Sequence, residues 1–193
     1  MSNAIIVKET IGPTNGYMKR VPTDSSTEIE LIFAIKQKTD EIEKILIDVS
    51  DPKSPKYGQH LTKQEIDAIT ANHEGHNLVL EYLNKIGASI LSSNDNYITT
   101  KAKASVWNSA LSTIFYEYEN INPGSGQLKT VNRCEQYSLP ENIVNEVSTV
   151  MNTVQFNAPI SKGPRIAKIP LTRLEPQISH HRADINNDKN NEK

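Results

Sequence analysis

Cysteine is almost missing from this chain. Cys134 stands alone among 193 residues, so no internal disulfide can form and the lone thiol reads as a buried, unreactive one. Aromatic residues make up only 6% of the sequence, with a single tryptophan, Trp107. No run approaches the ~18 consecutive apolar residues of a membrane-spanning helix, which excludes a spanning helix and gives no reason to expect a membrane partner. The opening Met-Ser-Asn-Ala-Ile-Ile-Val-Lys-Glu has an apolar run of Ala4 to Val7 only, far short of the ~7–15 residues at the heart of a secretion signal. Nineteen asparagines include no Asn-x-Ser/Thr sequon, so nothing in the sequence fixes a compartment. Charge of one sign is missing too: 21 basic and 23 acidic residues leave a net −2, without the clustered basic face that nucleic acid requires. What remains, 36% hydrophobic and 23% charged, is enough for one domain of ordinary size with a modest core plus tails.

The pattern within that length is informative. Residues 1–22 carry Gly12, Pro13, Gly16 and Pro22 and no period, and read as an N-terminal arm with at most one short edge strand. From Glu28 to Lys36 the chain alternates, with Ile29, Leu31, Phe33 and Ile35 on one face, which predicts a strand. Ile42, Ile45, Leu46 and Val49 then fall at helical spacing behind a cap at Thr39 or Asp40, and Pro52 ends that helix. Thr62-x-x-Glu65 is a capping box flanked by Leu61 and Ile66, opening a second helix. A third runs from about Glu74 to Ile86, with Val79, Tyr82, Leu83 and Ile86 as its buried stripe and Gly87 as its stop. Ala88–Leu91 and Tyr97–Thr100 flank a polar turn and predict a hairpin. Residues 103–113 make a helix, Phe115–Glu119 and Leu128–Tyr137 read as strands, and Asn142–Ser148 as a short helix.

After Phe156 prolines recur at 159, 164, 170 and 176, which favours extended chain, and residues 184–193 are almost wholly polar with nothing to bury. The organisation expected is therefore an arm over 1–22, a folded domain over 23–157, and an extended, proline-punctuated linker with a disordered polar tail over 158–193. Helices and antiparallel strands fall in blocks, which predicts an α+β fold: an antiparallel sheet with helices on one face, a ferredoxin-like sandwich with extra helices.

The densest motif is residues 51–65, Asp-Pro-Lys-Ser-Pro-Lys-Tyr-Gly-Gln-His-Leu-Thr-Lys-Gln-Glu. Physically it is a connector between helices. Pro52 ends one helix, Pro55 stiffens the turn, Gly58 suits a positive φ, and Thr62 with Glu65 starts the next helix. Tyr57 is expected to pack on the core beneath. Asp51, Pro52, Ser54, Pro55, Tyr57, Gly58, His60, Leu61, Thr62 and Glu65 resemble the signature of the activation (pro-) domain of sedolisin- or kumamolisin-type serine peptidases. The likeness, similar above all to the tripeptidyl-peptidase propeptide, extends from Gly16-Tyr17 through the strand at 28–37. It continues through Val79-x-x-Tyr82-Leu83 with Gly87-Ala88, then Phe115-x-x-Tyr118, and closes at Tyr137-Ser138-Leu139-Pro140. Read bottom-up, the signature residues are structural rather than a chemical site.

The resemblance implies a non-catalytic zymogen module that folds, guides and inhibits a peptidase domain, with release in acid. It also implies a partner, the Ser-Glu-Asp peptidase catalytic domain, in cis or in trans, in a family normally secreted or lysosomal. The family's Ser-Gly-Thr-Ser nucleophile motif is absent here, and no Glu is followed four residues later by Asp. No catalytic role, metal or cofactor is therefore expected of the chain, which could be a fragment of such an enzyme. The family's linker runs through the substrate cleft, which points to Phe156, Pro159, Ser161, Lys162, Arg165, Lys168 and Arg173 as the cleft-occupying or processed segment. Alternatives are a free-standing trans-acting protease inhibitor or a degenerate interaction module. Other motifs are weaker. His73-x-x-His76 and His180-His181 read as surface histidines, His60 as a polar turn residue or a pH-sensitive one, and Gly124-Ser125-Gly126 as a turn.

Overall fold

The structure, a computed structural model, describes residues 4–121 and 128–156. The chain divides into two compact units, Met1–Ile160 and Ser161–Lys193, and the described residues all belong to the first. In chain order this unit holds β1 (Ile5–Thr10), β2 (Tyr17–Pro22), β3 (Glu28–Ile35), α1 (Asp40–Ser50), α2 (Lys63–Thr70) and α3 (His73–Lys85). There follow β4 (Ser89–Ser93), β5 (Tyr97–Lys103), α4 (Ala104–Ala110), β6 (Phe115–Asn120), β7 (Thr130–Cys134), β8 (Gln136–Pro140), α5 (Glu141–Val144) and β9 (Val147–Met151).

The central sheet has the order β4-β5-β3-β9 and is antiparallel throughout. Of its four strands in chain order, β3, β4, β5 and β9, the first and third lie in the middle and the second and fourth at the edges, which is the ferredoxin-like arrangement of an α+β fold. The alternation read in β3 sets its sides. Ile29, Leu31, Phe33 and Ile35 turn inward and are buried with Ile98, beneath Val79 and Leu83 of α3 and Trp107 of α4. The indole N–H of Trp107 donates to the Ile29 carbonyl at 3.0 Å, so the largest core side chain leaves no unpaired donor. Helix α3 ends as expected: Gly87 takes φ 78°, while the Ala88 and Gly87 N–H groups donate to the Leu83 and Asn84 carbonyls, a Schellman motif.

A second group of strands lies between α4 and β9 in sequence. β6 pairs with β7 and β2, and β8 pairs with β1. Residues 1–22, expected as an arm with at most one short strand, thus supply two strands. Their partners β8 and β6 lie far along the chain, from Tyr116 onward, a pairing that no local pattern reveals. The stretch 128–137 holds β7 and the start of β8, and the expected helix over 142–148 is one turn, α5, followed by the strand β9. Val147 and Val150 face the core, where their β-branched side chains favour the sheet.

Candidate functional site

The signature residues form the connector between α1 and α2, and their polar groups are bonded among themselves. The Asp51 carboxylate accepts from the Lys53 N–H at 2.9 Å, and the Ser54 hydroxyl accepts from the Lys56 N–H at 3.1 Å. The Gly58 N–H returns to the Val49 carbonyl at 2.9 Å, and Gly58 takes φ 75°, a value that selects glycine. At α2 the capping box is complete: Glu65 Oε2 accepts from the Thr62 N–H at 2.8 Å, and the Thr62 hydroxyl accepts from the Glu65 N–H at 3.3 Å. These bonds from Thr62 hold the Glu65 carboxyl below its ordinary pKa. A turn that satisfies itself in this way accounts for Asp51, Pro52, Ser54, Gly58, Thr62 and Glu65 without any ligand.

Tyr57 departs from expectation: its ring is 58% exposed and does not pack on the core. The reason is that α1 and α2 pair with each other rather than lying on the sheet. Only Val49 of α1 is buried, while Leu46 and Ile47 remain exposed. His60 and Leu61 close a small cavity of about 150 Å³ with Ile42, Ile45, Leu46, Val49 and Ile66. His60 itself is exposed. His73 lies 3.7 Å from the Asp95 carboxylate, and His76 shares a 2.8 Å hydrogen bond with Ser93.

The other face of the central sheet is not covered by α3 or α4. It carries Glu30, Ile32 and Ala34 of β3, Tyr97, Thr99 and Lys101 of β5, and Thr149 and Met151 of β9. Register places Ile32 opposite Met151 and Ala34 opposite Thr149. A shallow groove of about 490 Å³ continues from Ala34, Tyr97, Thr149 and Met151 to Gln37 and Thr39, where α1 begins. Sequence reading missed this face. The signal was Ile32 and Ala34, apolar residues on the side of β3 that Glu28 and Glu30 mark as polar.

At the C-terminal end of the described body, Phe156 is not part of a free linker. Its ring packs edge-on against Tyr118, centroids 4.9 Å apart, and tilted against Tyr17 at 5.3 Å. Its carbonyl accepts from the Asn15 amide at 3.2 Å. Arg133 ties down the same segment through the carbonyls of Gln155 (2.7 Å), Asn132 (2.8 Å) and Asn152 (3.3 Å). Pro159, Ser161, Lys162, Arg165, Lys168 and Arg173 lie outside the described residues, as do His180, His181 and residues 124–126, where a turn is expected. Cys134 is fully buried, and burial pushes its thiol up to about 12.

A family model described as the activation domain of pro-kumamolisin matches residues 15–156, and the chain belongs to that family. Among curated proteins, the probable tripeptidyl-peptidase SED3 of Arthroderma benhamiae is 26% identical over 175 residues, covering 88% of this chain and 29% of that protein. The probable tripeptidyl-peptidase SED4 of Trichophyton verrucosum is 27% identical over 174 residues, covering 88% and 28%. Aorsin of Aspergillus oryzae is 24% identical over 173 residues, covering 86% and 26%. The chain thus spans less than a third of the length of these relatives.

Proposed function

We propose that this chain is the propeptide-like activation domain of a sedolisin-type, tripeptidyl-peptidase-like serine peptidase. In this role it assists folding of the catalytic domain and inhibits it until acid releases it. The observation that carries the reading is the activation-domain match over 15–156, whose signature stretch folds here as a self-contained turn. The chain performs no bond-making step of its own in this account.

The open face of the central sheet supplies the docking surface. Ile32, Tyr97 and Met151 offer apolar area that the chain's own helices leave uncovered, and the groove toward Thr39 gives it an edge. Glu28 and Glu30 of β3 lie on this face, with Glu28 paired to Lys101, and the first-turn acids Asp40, Glu41 and Glu43 follow Thr39 at the end of the groove. A contact that uses those carboxylates loses favourable interactions as they take up protons, so binding weakens as pH falls. The segment after Phe156, including Pro159, Ser161 and Lys162, would occupy the substrate cleft. In cis, body and segment share one chain, with effective concentrations on the order of mM for short flexible linkers. Modest intrinsic affinity then suffices.

The test is a dose–response against mature peptidases of this family, at about pH 6.5 and about pH 4, with the full chain and a chain ending at Phe156. Inhibition should be stronger near neutral pH and weaker in the shortened chain. Absence of inhibition across several such peptidases would favour the degenerate interaction module. Inhibition that strengthens in acid would refute release by protonation.

A further inference from the structure

Strand β1 holds no buried residue. Ile5, Ile6 and Val7, three consecutive β-branched residues, are 59%, 40% and 53% exposed, and among the described residues β1 pairs on one side only, with β8. The β8 ladder shows which backbone groups face outward. Ser138, opposite Val7, sends its N–H away from β1 to the Leu111 carbonyl at 2.9 Å. Val7–Ser138 is therefore a non-hydrogen-bonded pair, and the bonded pair is Ile6–Leu139. The Glu141 N–H reaches the Ala4 carbonyl at 2.9 Å, which places Ala4 on the same inward side as Ile6. Ile5 and Val7 consequently direct N–H and C=O outward, with no partner among the described residues. An apolar edge of this kind is a template for another strand. Natural edges blunt themselves with charge, but here charge begins only at Lys8, where the strand bulges, and the Lys8 ammonium donates to the Val144 carbonyl at 3.1 Å.

We propose that β1 is a self-association edge on which β1 of a second copy docks antiparallel, about a two-fold axis through Ile6. The outward groups fix the register. Ile5 lies opposite Val7 of the copy, and Val7 opposite its Ile5, so two bonded pairs exchange four backbone hydrogen bonds. Ile6 meets Ile6 of the copy in the non-bonded pair between them, and no charge falls inside the ladder. The side chains favour the same occupant. Ile5 lines a groove of about 490 Å³ with Leu78, Tyr82 and Ile86 of α3 and Pro140, and Glu81, Lys85 and Asn142 complete its lining. Opposed residues share a face of the sheet, so Val7 of the copy projects beside Ile5 into that groove and covers Leu78, which is exposed. The product is a four-stranded β8-β1-β1-β8 sheet across an isologous dimer. A ladder this short makes a small interface of the weak, concentration-dependent class. The inference does not depend on the peptidase reading.

Sedimentation velocity on the full chain from about 2 to about 300 μM tests it. The mass should rise with concentration from 21.6 kDa toward twice that value. Ile6→Lys sets two ammonium groups against each other on the axis. Val7→Pro removes an outward N–H that the dimer needs and no bond to β8, a place where an edge strand tolerates proline. Both variants should stay monomeric while keeping the thermal transition of the parent, followed by Trp107 fluorescence. If either variant misfolds, amide exchange of Ile5 and Val7 in the parent chain decides, since both should slow with rising concentration. A parent chain still monomeric at about 300 μM overturns the proposal. So do concentration-independent exchange and a dimer that persists in the folded variants.

Discussion

Gly75→Ala sets two effects against each other. Glycine costs ~1 kcal/mol relative to alanine inside a helix, so propensity alone predicts a gain of at most that size. Packing predicts the reverse. Gly75 is buried in the first turn of α3, and its N–H donates to Asn72 Oδ1 at 3.1 Å. An added Cβ would lie 2.5 Å from Asn72 Nδ2 and closer still to Glu146 Oε2. Those two groups are bonded to each other at 2.8 Å, and Asn72 also donates to the Lys36 carbonyl at 3.0 Å. Neither can yield alone. Displacing Asn72 removes the α3 cap, about 1 kcal/mol, and loosens partly buried partners whose loss costs about 1–3 kcal/mol. Subtracting the propensity gain leaves a destabilisation of roughly 1–3 kcal/mol. For a body of this size that lowers Tm by roughly 2–12 °C. Trp107, the one tryptophan and fully buried, reports the transition by fluorescence. Adding Glu146→Ala should relieve the clash, so the double variant should lose less than the sum of the singles. A Tm equal to or above that of the parent would refute the reasoning.

Three further outcomes are expected. Tyr137→Phe removes the hydroxyl that accepts the buried Val150 N–H at 2.9 Å, and urea denaturation should show a loss of about 1–3 kcal/mol with an unchanged m-value. Burial lifts Cys134 from 9.0 to about 12 and Tyr82 from 10.0 to about 12. The unfolded chain therefore releases these protons first, and stability should fall as pH rises above about 9; the urea midpoint should be lower at about pH 10.5 than at pH 8, less so in Cys134→Ala. Ile32→Asp on the open sheet face should abolish inhibition of a family peptidase near neutral pH without shifting Tm by more than a few degrees, and full inhibition by this variant would remove that face from the docking surface.

Local physics was readable wherever the chain is its own partner. The alternation through Ile29, Leu31, Phe33 and Ile35, the Thr62–Glu65 box, the proline after Asp51 and the stop at Gly87 each act within a few residues, and the structure has all of them. The misses share one cause. β1 and β2 are strands because β8 and β6 accept them, and Ile5-Ile6-Val7 carries no turn signal to say so. Val147–Met151 lay behind a helix start, and its β-branched content was overridden by that signal. Tyr57 sits on a connector whose helices α1 and α2 pack on each other, so it stays exposed instead of reaching the core beneath. Phe156 sat next to a change in composition, yet its ring fills a satellite core with Tyr17 and Tyr118. The signature could identify the family, but it could not point to the open sheet face, which depends on which side of β3 the helices leave uncovered.

The central claim is that this body binds a peptidase catalytic domain. Calorimetric titration of the full chain into a mature, active-site-blocked tripeptidyl-peptidase of this family, at about pH 6.5 and about pH 4, measures it most directly. The account predicts saturable binding with one body per catalytic domain near neutral pH, weaker in acid and lost in Ile32→Asp. No heat of binding at either pH, or binding unaffected by Ile32→Asp, would contradict it.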